Sequence, residues 1–141
     1  MTGYESYFLQ AEAAARGWTS GSAQTLYESG ITESFASYSV SGAAAYIVQD
    51  SIAYPASGPL ADQIRHIITQ KWAAMCGNQN DEAWIEWRRT NYPEFFTVSV
   101  HSTIGGNRFP ERMFYPSSES STNGSFPGQK NIFDKVWWDT N

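Results

Sequence analysis

Leu60-Ala61-Asp62-Gln63-Ile64-Arg65-His66-Ile67-Ile68-Thr69-Gln70-Lys71-Trp72-Ala73-Ala74-Met75 is the stretch that decides the fold. Leu60, Ile64, Ile67, Ile68, Trp72 and Met75 recur at the helical period and line one arc, while Asp62, Arg65, His66 and Thr69 lie away from it. Cys76-Gly77-Asn78 stops this helix. Asp81 can cap the next one, which carries Trp84, Ile85, Trp87 and Arg88 and ends near Asn91, because Tyr92 precedes Pro93 and so avoids helical backbone. Two amphipathic helices joined by so short a turn form an antiparallel pair.

The same reading extends toward the N-terminus. Thr2-Gly3-Tyr4-Glu5 is a capping-box pattern, in which Thr2 takes a free N–H of the first turn and Glu5 reaches back to the cap. Tyr4, Phe8, Ala11 and Ala15, with Tyr7, Ala14 and Trp18 beside them, predict a helix over 4–16 that Gly17 stops. After the polar turn Thr19-Ser20-Gly21-Ser22, the spacing of Ala23, Leu26, Tyr27, Ile31, Phe35 and Tyr38 predicts a second helix over 23–38. Gly30 in its middle costs about 1 kcal/mol relative to alanine, a cost that close approach of the neighbouring helix explains. A shorter Ala-rich helix is expected over 41–49, followed by the loop Tyr54-Pro55-Ala56-Ser57-Gly58-Pro59.

Beyond Pro93 the pattern changes. Phe96, Val98 and Val100 alternate with Thr97, Ser99 and His101, which suggests a short strand. Ile104-Gly105-Gly106-Asn107 could turn it back into Arg112-Met113-Phe114-Tyr115 as a β-hairpin. Residues 116–131 are rich in Ser, Asn, Gly and Pro and read as loop, and Lys135-Val136-Trp137-Trp138-Asp139 closes the chain. Adjacent tryptophans are poorly suited to water, so at least one is expected to dock on the helices. The fold class is therefore mostly α, with antiparallel helix pairs of tetratricopeptide-like type followed by an irregular tail. It is read as one segment, 1–141, with a helical part over 1–92 and a loop-rich tail over 93–141.

Composition narrows the chemistry. A length of 141 residues fits one domain, and 9 Lys and Arg against 14 Asp and Glu give a net charge of −5. That balance lacks the basic footprint of a nucleic-acid binder or of a protein held on an anionic membrane surface. The single cysteine, Cys76, excludes an internal disulfide and a multi-cysteine zinc site. No apolar run approaches the roughly 20 residues that cross a bilayer. His66, His101 and Cys76 lack metal-ligand spacing, so neither a metal nor another cofactor is expected. There is no Gly-x-Ser-x-Gly elbow. Asp81, Glu82 and Glu86 sit where acids stabilise a helix N-terminus or pair with Arg88 and Arg89 on the same helix. No catalytic residue is assigned, and the chain is not expected to be an enzyme.

Lys71 is more informative, because it projects within the apolar arc of the 60–75 helix. An ammonium there is costly unless it is paired or snorkels out. Pairing with Glu12, which flanks the apolar face of the first helix, or with Glu86 is expected, and would pin the helices together. Aromatics make up 16% of the chain. Trp72, Trp84 and Trp87 fall on helices at packing spacing and read as core. Phe109, Trp137 and Trp138 have no helical face to fill, so exposure is expected there, and with it the ability to stack on the apolar C–H face of a sugar.

The order of these motifs resembles the C-terminal part of SusD/RagB-type outer-membrane lipoproteins of the Bacteroidetes. The residues that carry the likeness are Tyr4 to Gly17, then Leu26-Tyr27-Glu28-Ser29-Gly30-Ile31, then Gln70-Lys71-Trp72 with Glu82-Ala83-Trp84-Ile85-Glu86-Trp87-Arg88-Arg89-Thr90-Asn91-Tyr92-Pro93. Arg112-Met113-Phe114-Tyr115-Pro116 and Val136-Trp137-Trp138-Asp139 follow in the same order. The resemblance implies a surface-exposed glycan-binding protein of the outer membrane, without catalytic activity, that works with a SusC-like TonB-dependent transporter in nutrient uptake. It also implies that this chain is a C-terminal fragment, soluble by itself and able to self-associate, whose parent carries a lipid anchor in its N-terminal part. Phe109, Trp137 and Trp138 are the candidate carbohydrate-binding residues, while Lys71, Glu12 and Arg88 resemble packing residues of the scaffold. Cys76 and Asn78-Gln79-Asn80 depart from the more apolar turn usual between these helices. The competing reading is a helical protein–protein interaction module with no ligand site of its own.

Overall fold

Thr2 opens the first helix as the sequence requires. In the computed structural model, which describes residues 1–139, its hydroxyl accepts the Glu5 N–H while the Glu5 carboxylate accepts the Thr2 N–H, completing the capping box of α1 (Gly3–Ala15). Gly17, at φ +73°, ends it in the left-handed region that glycine tolerates. Ser22 caps α2 (Ala23–Ser37). A Cβ placed on Gly30 would stand 3.0 Å from the Phe8 ring, so the glycine inside α2 is the close approach that its position implies. A Cβ on Gly3 would meet Glu33 at the opposite end of the pair, which makes α1 and α2 antiparallel.

The third helix, α3 (Ala43–Ile47), is shorter than the 41–49 expected, because the chain enters it through Gly42 in a left-handed conformation (φ +97°) that excludes Ser41. The fourth, α4 (Leu60–Met75), has the bounds its pattern implies. The fifth, α5 (Asn80–Thr90), begins one residue before the expected Asp81 cap. Gln79 occupies the cap position but sends its amide elsewhere. It accepts the Thr2 hydroxyl at 3.1 Å and donates to Glu5 Oε2 at 3.0 Å, while Asn78 donates to the Tyr4 hydroxyl. The polar α4–α5 turn thus ties itself to the N-terminal turn of α1, which is why an apolar turn would not serve here.

The core of this helical part gathers Tyr4, Phe8 and Ala11 of α1, Tyr27 and Ile31 of α2, Ile67, Ala74 and Met75 of α4, and Ala83 of α5. Its rings meet edge-on or tilted, Phe8 against Tyr27 at 6.2 Å and Tyr27 against Tyr54 at 5.4 Å. The buried Tyr27 hydroxyl donates to the Ile52 carbonyl at 2.6 Å, so its polar end is satisfied.

The chain divides into two compact units, Met1–Glu94 and Phe95–Asn141. The described residues of the second form no strand. The expected hairpin fails because its backbone groups find other partners. Ser102 donates to the Ser99 carbonyl and His101 to the Ser99 hydroxyl, a local turn inside the would-be strand. At the start of the returning arm, the Arg112 N–H, with that of the preceding Glu111, goes to the Ile132 carbonyl. The stretch read as loop after Pro116 instead contains a short helix, α6 (Ser117–Thr122), whose hydroxyls bond back to carbonyls of its own first turn.

Candidate functional site

Phe109, Trp137 and Trp138 all belong to the Phe95–Asn141 unit. The two hydrogen bonds to the Ile132 carbonyl, 2.8 Å from Glu111 and 3.2 Å from Arg112, bind the stretch after Phe109 to the segment that precedes the tryptophans. Arginines hold the neighbouring rings. The Arg108 guanidinium lies 4.2 Å from the Phe133 centroid and Arg112 lies 5.1 Å from that of Tyr115, which meets Phe126 edge-on. The Asp139 N–H bonds the Val136 carbonyl at 3.0 Å, so Trp137 and Trp138 are the central residues of a turn. Trp137 is 94% exposed, as its loop position leads one to expect, whereas Trp138 is 41% exposed and Phe109 is half-buried. Phe95, Met113 and Phe114 are also well exposed, and the alternating pattern that suggested strands gave no sign of it.

Trp18 is a second departure. Its spacing placed it with the apolar side of the first helix, yet it falls beyond Gly17 and is 72% exposed, with the Arg16 guanidinium 5.3 Å from its ring centroid. Trp72, Trp84 and Trp87 are half-buried on α4 and α5. Trp72 packs against the core, and Arg88 lies over the Trp84 ring.

Several charged side chains of the helical unit are locked to one another. Lys71, buried on α4, pairs with Glu86 on α5 at 3.2 Å, one of the two partners its position allows. Glu12, also buried, instead takes Arg16 at 2.8 Å and Arg89 at 2.7 Å, and Arg89 reaches Glu86 as well at 2.9 Å. Burial pushes the Glu12 carboxyl up, but the hydrogen bonds and charges of Arg89 and Arg16 outweigh it and hold the group below its ordinary value. The Glu12 hydrogen bonds in turn raise Arg89, against the opposing effect of its burial. A general acid needs a carboxyl whose environment keeps its proton near neutral pH, and Glu12 is driven the other way. These groups fasten α1, α4 and α5.

His66 is engaged through Nδ1 with the Asp62 carbonyl at 2.9 Å, and Cys76 and His101 are exposed. Among the described residues no group of three or more His, Cys, Asp or Glu could hold a metal ion. No described helix is long and apolar enough to cross a membrane.

With the fold and its exposed aromatics in view, likeness to known proteins becomes specific. Residues 1–116 match the SusD-like family described as starch-binding and associating with the outer membrane. A chitin-binding SusD homolog from Flavobacterium johnsoniae is similar in structure at TM-score 0.82 and 34% identity, over 98% of this chain and 36% of that one. A SusD-like protein of the Bacteroidetes shares 32% identity at TM-score 0.83, over 100% and 30% of the two chains. A SusD homolog from Bacteroides thetaiotaomicron shares 29% at TM-score 0.77, over 100% and 38%. The chain belongs to the SusD-like family, and it spans about a third of the length of these solved relatives. No curated protein matches it at comparable significance.

Proposed function

We propose that this chain is part of a glycan-binding protein at the outer-membrane surface, one that captures oligosaccharide for uptake through a SusC-like TonB-dependent transporter and catalyses no reaction itself. Membership of a family described as starch-binding supports the reading, as does the chitin-binding relative. The observation that carries it in this molecule is Trp137, a large flat apolar ring presented almost wholly to solvent on a turn. Water gains from covering such a ring, and the C–H face of a pyranose covers it while the sugar hydroxyls stay solvated or bond polar neighbours. Trp138 and Phe109 are the companions we assign to the same surface. A lipid anchor would belong to the N-terminal part of a protein of the relatives' length.

Affinity electrophoresis in soluble starch and calorimetric titration with chitohexaose test this on residues 1–141. Retardation or heat that Trp137→Ala weakens by about tenfold or more is the expected result. Failure of the unsubstituted chain to bind either glycan would favour the helical interaction module.

A further inference from the structure

The Arg16–Glu12–Arg89 network ends, at the surface, on an aromatic ring that the fold does not use. Trp18 is 72% exposed at the α1–α2 turn and contributes nothing to the core. Its neighbour Arg16 is nonetheless fixed, with Nε donating to Glu12 Oε1 at 2.9 Å and Nη2 standing 2.8 Å from the same oxygen. Glu12 is in turn buried and clamped by Arg89 at 2.7 Å. The guanidinium over the indole at 5.3 Å therefore orients the ring from a rigid base, while most of its surface stays open to water.

Immediately after Trp18 the chain borders a depression of about 370 Å³, lined by Gln10, Thr19, Ser20, Ser22, Thr25 and Leu26 together with Gly21. Its polar side chains are neutral hydroxyls and one amide. Such a rim neither attracts an anion nor offers the cluster of apolar anchors on which protein partners depend. A flat ring held in place one residue before an uncharged hollow, whose largely apolar lining carries a few neutral hydroxyls, suits a ligand with one apolar face and a girdle of hydroxyl groups.

We propose that Trp18 and this depression form a second saccharide-binding site, on the helical unit, for a neutral glycan segment. The proposal rests on the glycan-binding reading above, but its residues are separate from Phe109, Trp137 and Trp138. Arg16 acts in it as a positioning residue.

The same two probes, soluble starch and chitohexaose, test it on the 141-residue chain. Trp18→Ala is expected to weaken binding at this site by about tenfold or more, read in the titration as the loss of one of two saccharide sites, with an unchanged thermal melt, since the ring packs on nothing in the core. Trp18→Tyr, which keeps a flat face, is expected to lose less than about threefold. If Trp18→Ala binds as tightly as the unsubstituted chain while Trp137→Ala does not, the Trp18 site is refuted and the glycan reading stands. If the unsubstituted chain binds neither probe, both fall. Should Trp18→Ala fail to fold, the Trp18 indole N–H resonance, assigned through Trp18→Tyr, decides the matter. A shift on adding chitohexaose supports the site, and an unmoved resonance overturns it.

Discussion

The Met1–Glu94 and Phe95–Asn141 units spend the same residue types in different ways. In the first, aromatic rings turn inward on one another, and Lys71 and Arg89 are committed to carboxylates of other helices. In the second, no described residue is fully buried, and arginines lie against rings instead. One unit is stabilised by removal of apolar area from water, and the other by turns, backbone bonds to single carbonyls and cation–ring contacts. A helical unit so interlocked can serve as a rigid base, and a loop unit with so little interior can give its large side chains to solvent. Substitutions should therefore separate the two, with stability concentrated in one and recognition in the other.

The largest effect is expected at Phe8, which is 1% exposed and lies edge-on to Tyr27 and against Gly30. Phe8→Ala should cost about 3–5 kcal/mol, a large share of the stability of a domain this size, read as a fall in the urea midpoint. Next comes the ion pair between α4 and α5. Glu86→Gln leaves the Lys71 ammonium buried without a carboxylate and should cost about 3 kcal/mol. Lys71→Met, by contrast, removes the buried charge and leaves Glu86 with Arg89, so a change of no more than about 1 kcal/mol is expected. If the two variants proved equally damaging, the lysine would be needed for shape and not for its pairing.

A pH titration sharpens the same contrast. Glu12 has a folded-state pKa held below its unfolded value, so it binds its proton more readily when the chain unfolds. Its contribution is complete above the unfolded value of about 4.3 and is lost as the pH falls through the folded one. Stability of the helical unit should therefore drop with acid below about pH 4.5, and Glu12→Gln should flatten that slope while lowering the plateau at neutral pH. Stability curves from pH 2 to pH 7, followed by helical circular dichroism, check both. Arg89 is pushed further above its usual range and stays charged throughout.

How far the sequence reveals this division depends on where the determining contacts lie. The bounds of α4, the capping box at Thr2, the close approach at Gly30 and the pairing of Lys71 each follow from periodicity or from the cost of a buried charge. Those are local patterns or single large energies. The role of Gln79 is different, because its partners Thr2 and Glu5 are more than 70 residues away in the chain and no spacing rule connects them. The hairpin reading failed for a related reason. Alternation of Phe96, Val98 and Val100 is a strand pattern only if a partner strand is available, and the Ile132 carbonyl takes the N–H of Arg112, where the expected return arm would begin. Of the site candidates, Trp137 is exposed as its loop position suggested, while Trp18 was concealed by a helical spacing that Gly17 interrupts.

The smallest change in stability is expected where the functional claim is strongest. Trp137 is 94% exposed, so replacing it removes almost no buried area, and Trp137→Ala should move the free energy of unfolding by less than about 0.5 kcal/mol. Trp138 is more than half covered, and Trp138→Ala should cost measurably more, on the order of 1–2 kcal/mol, from the apolar surface it returns to water. The pair makes an internal control, since the two residues share a turn and a side chain and differ chiefly in exposure. If glycan binding falls with Trp137→Ala while the melt stays put, the ring is held out for a ligand. If Trp137→Ala instead destabilises the chain as much as Trp138→Ala does, the contrast between an interlocked helical unit and a loop unit that spares its side chains breaks down at its most exposed residue.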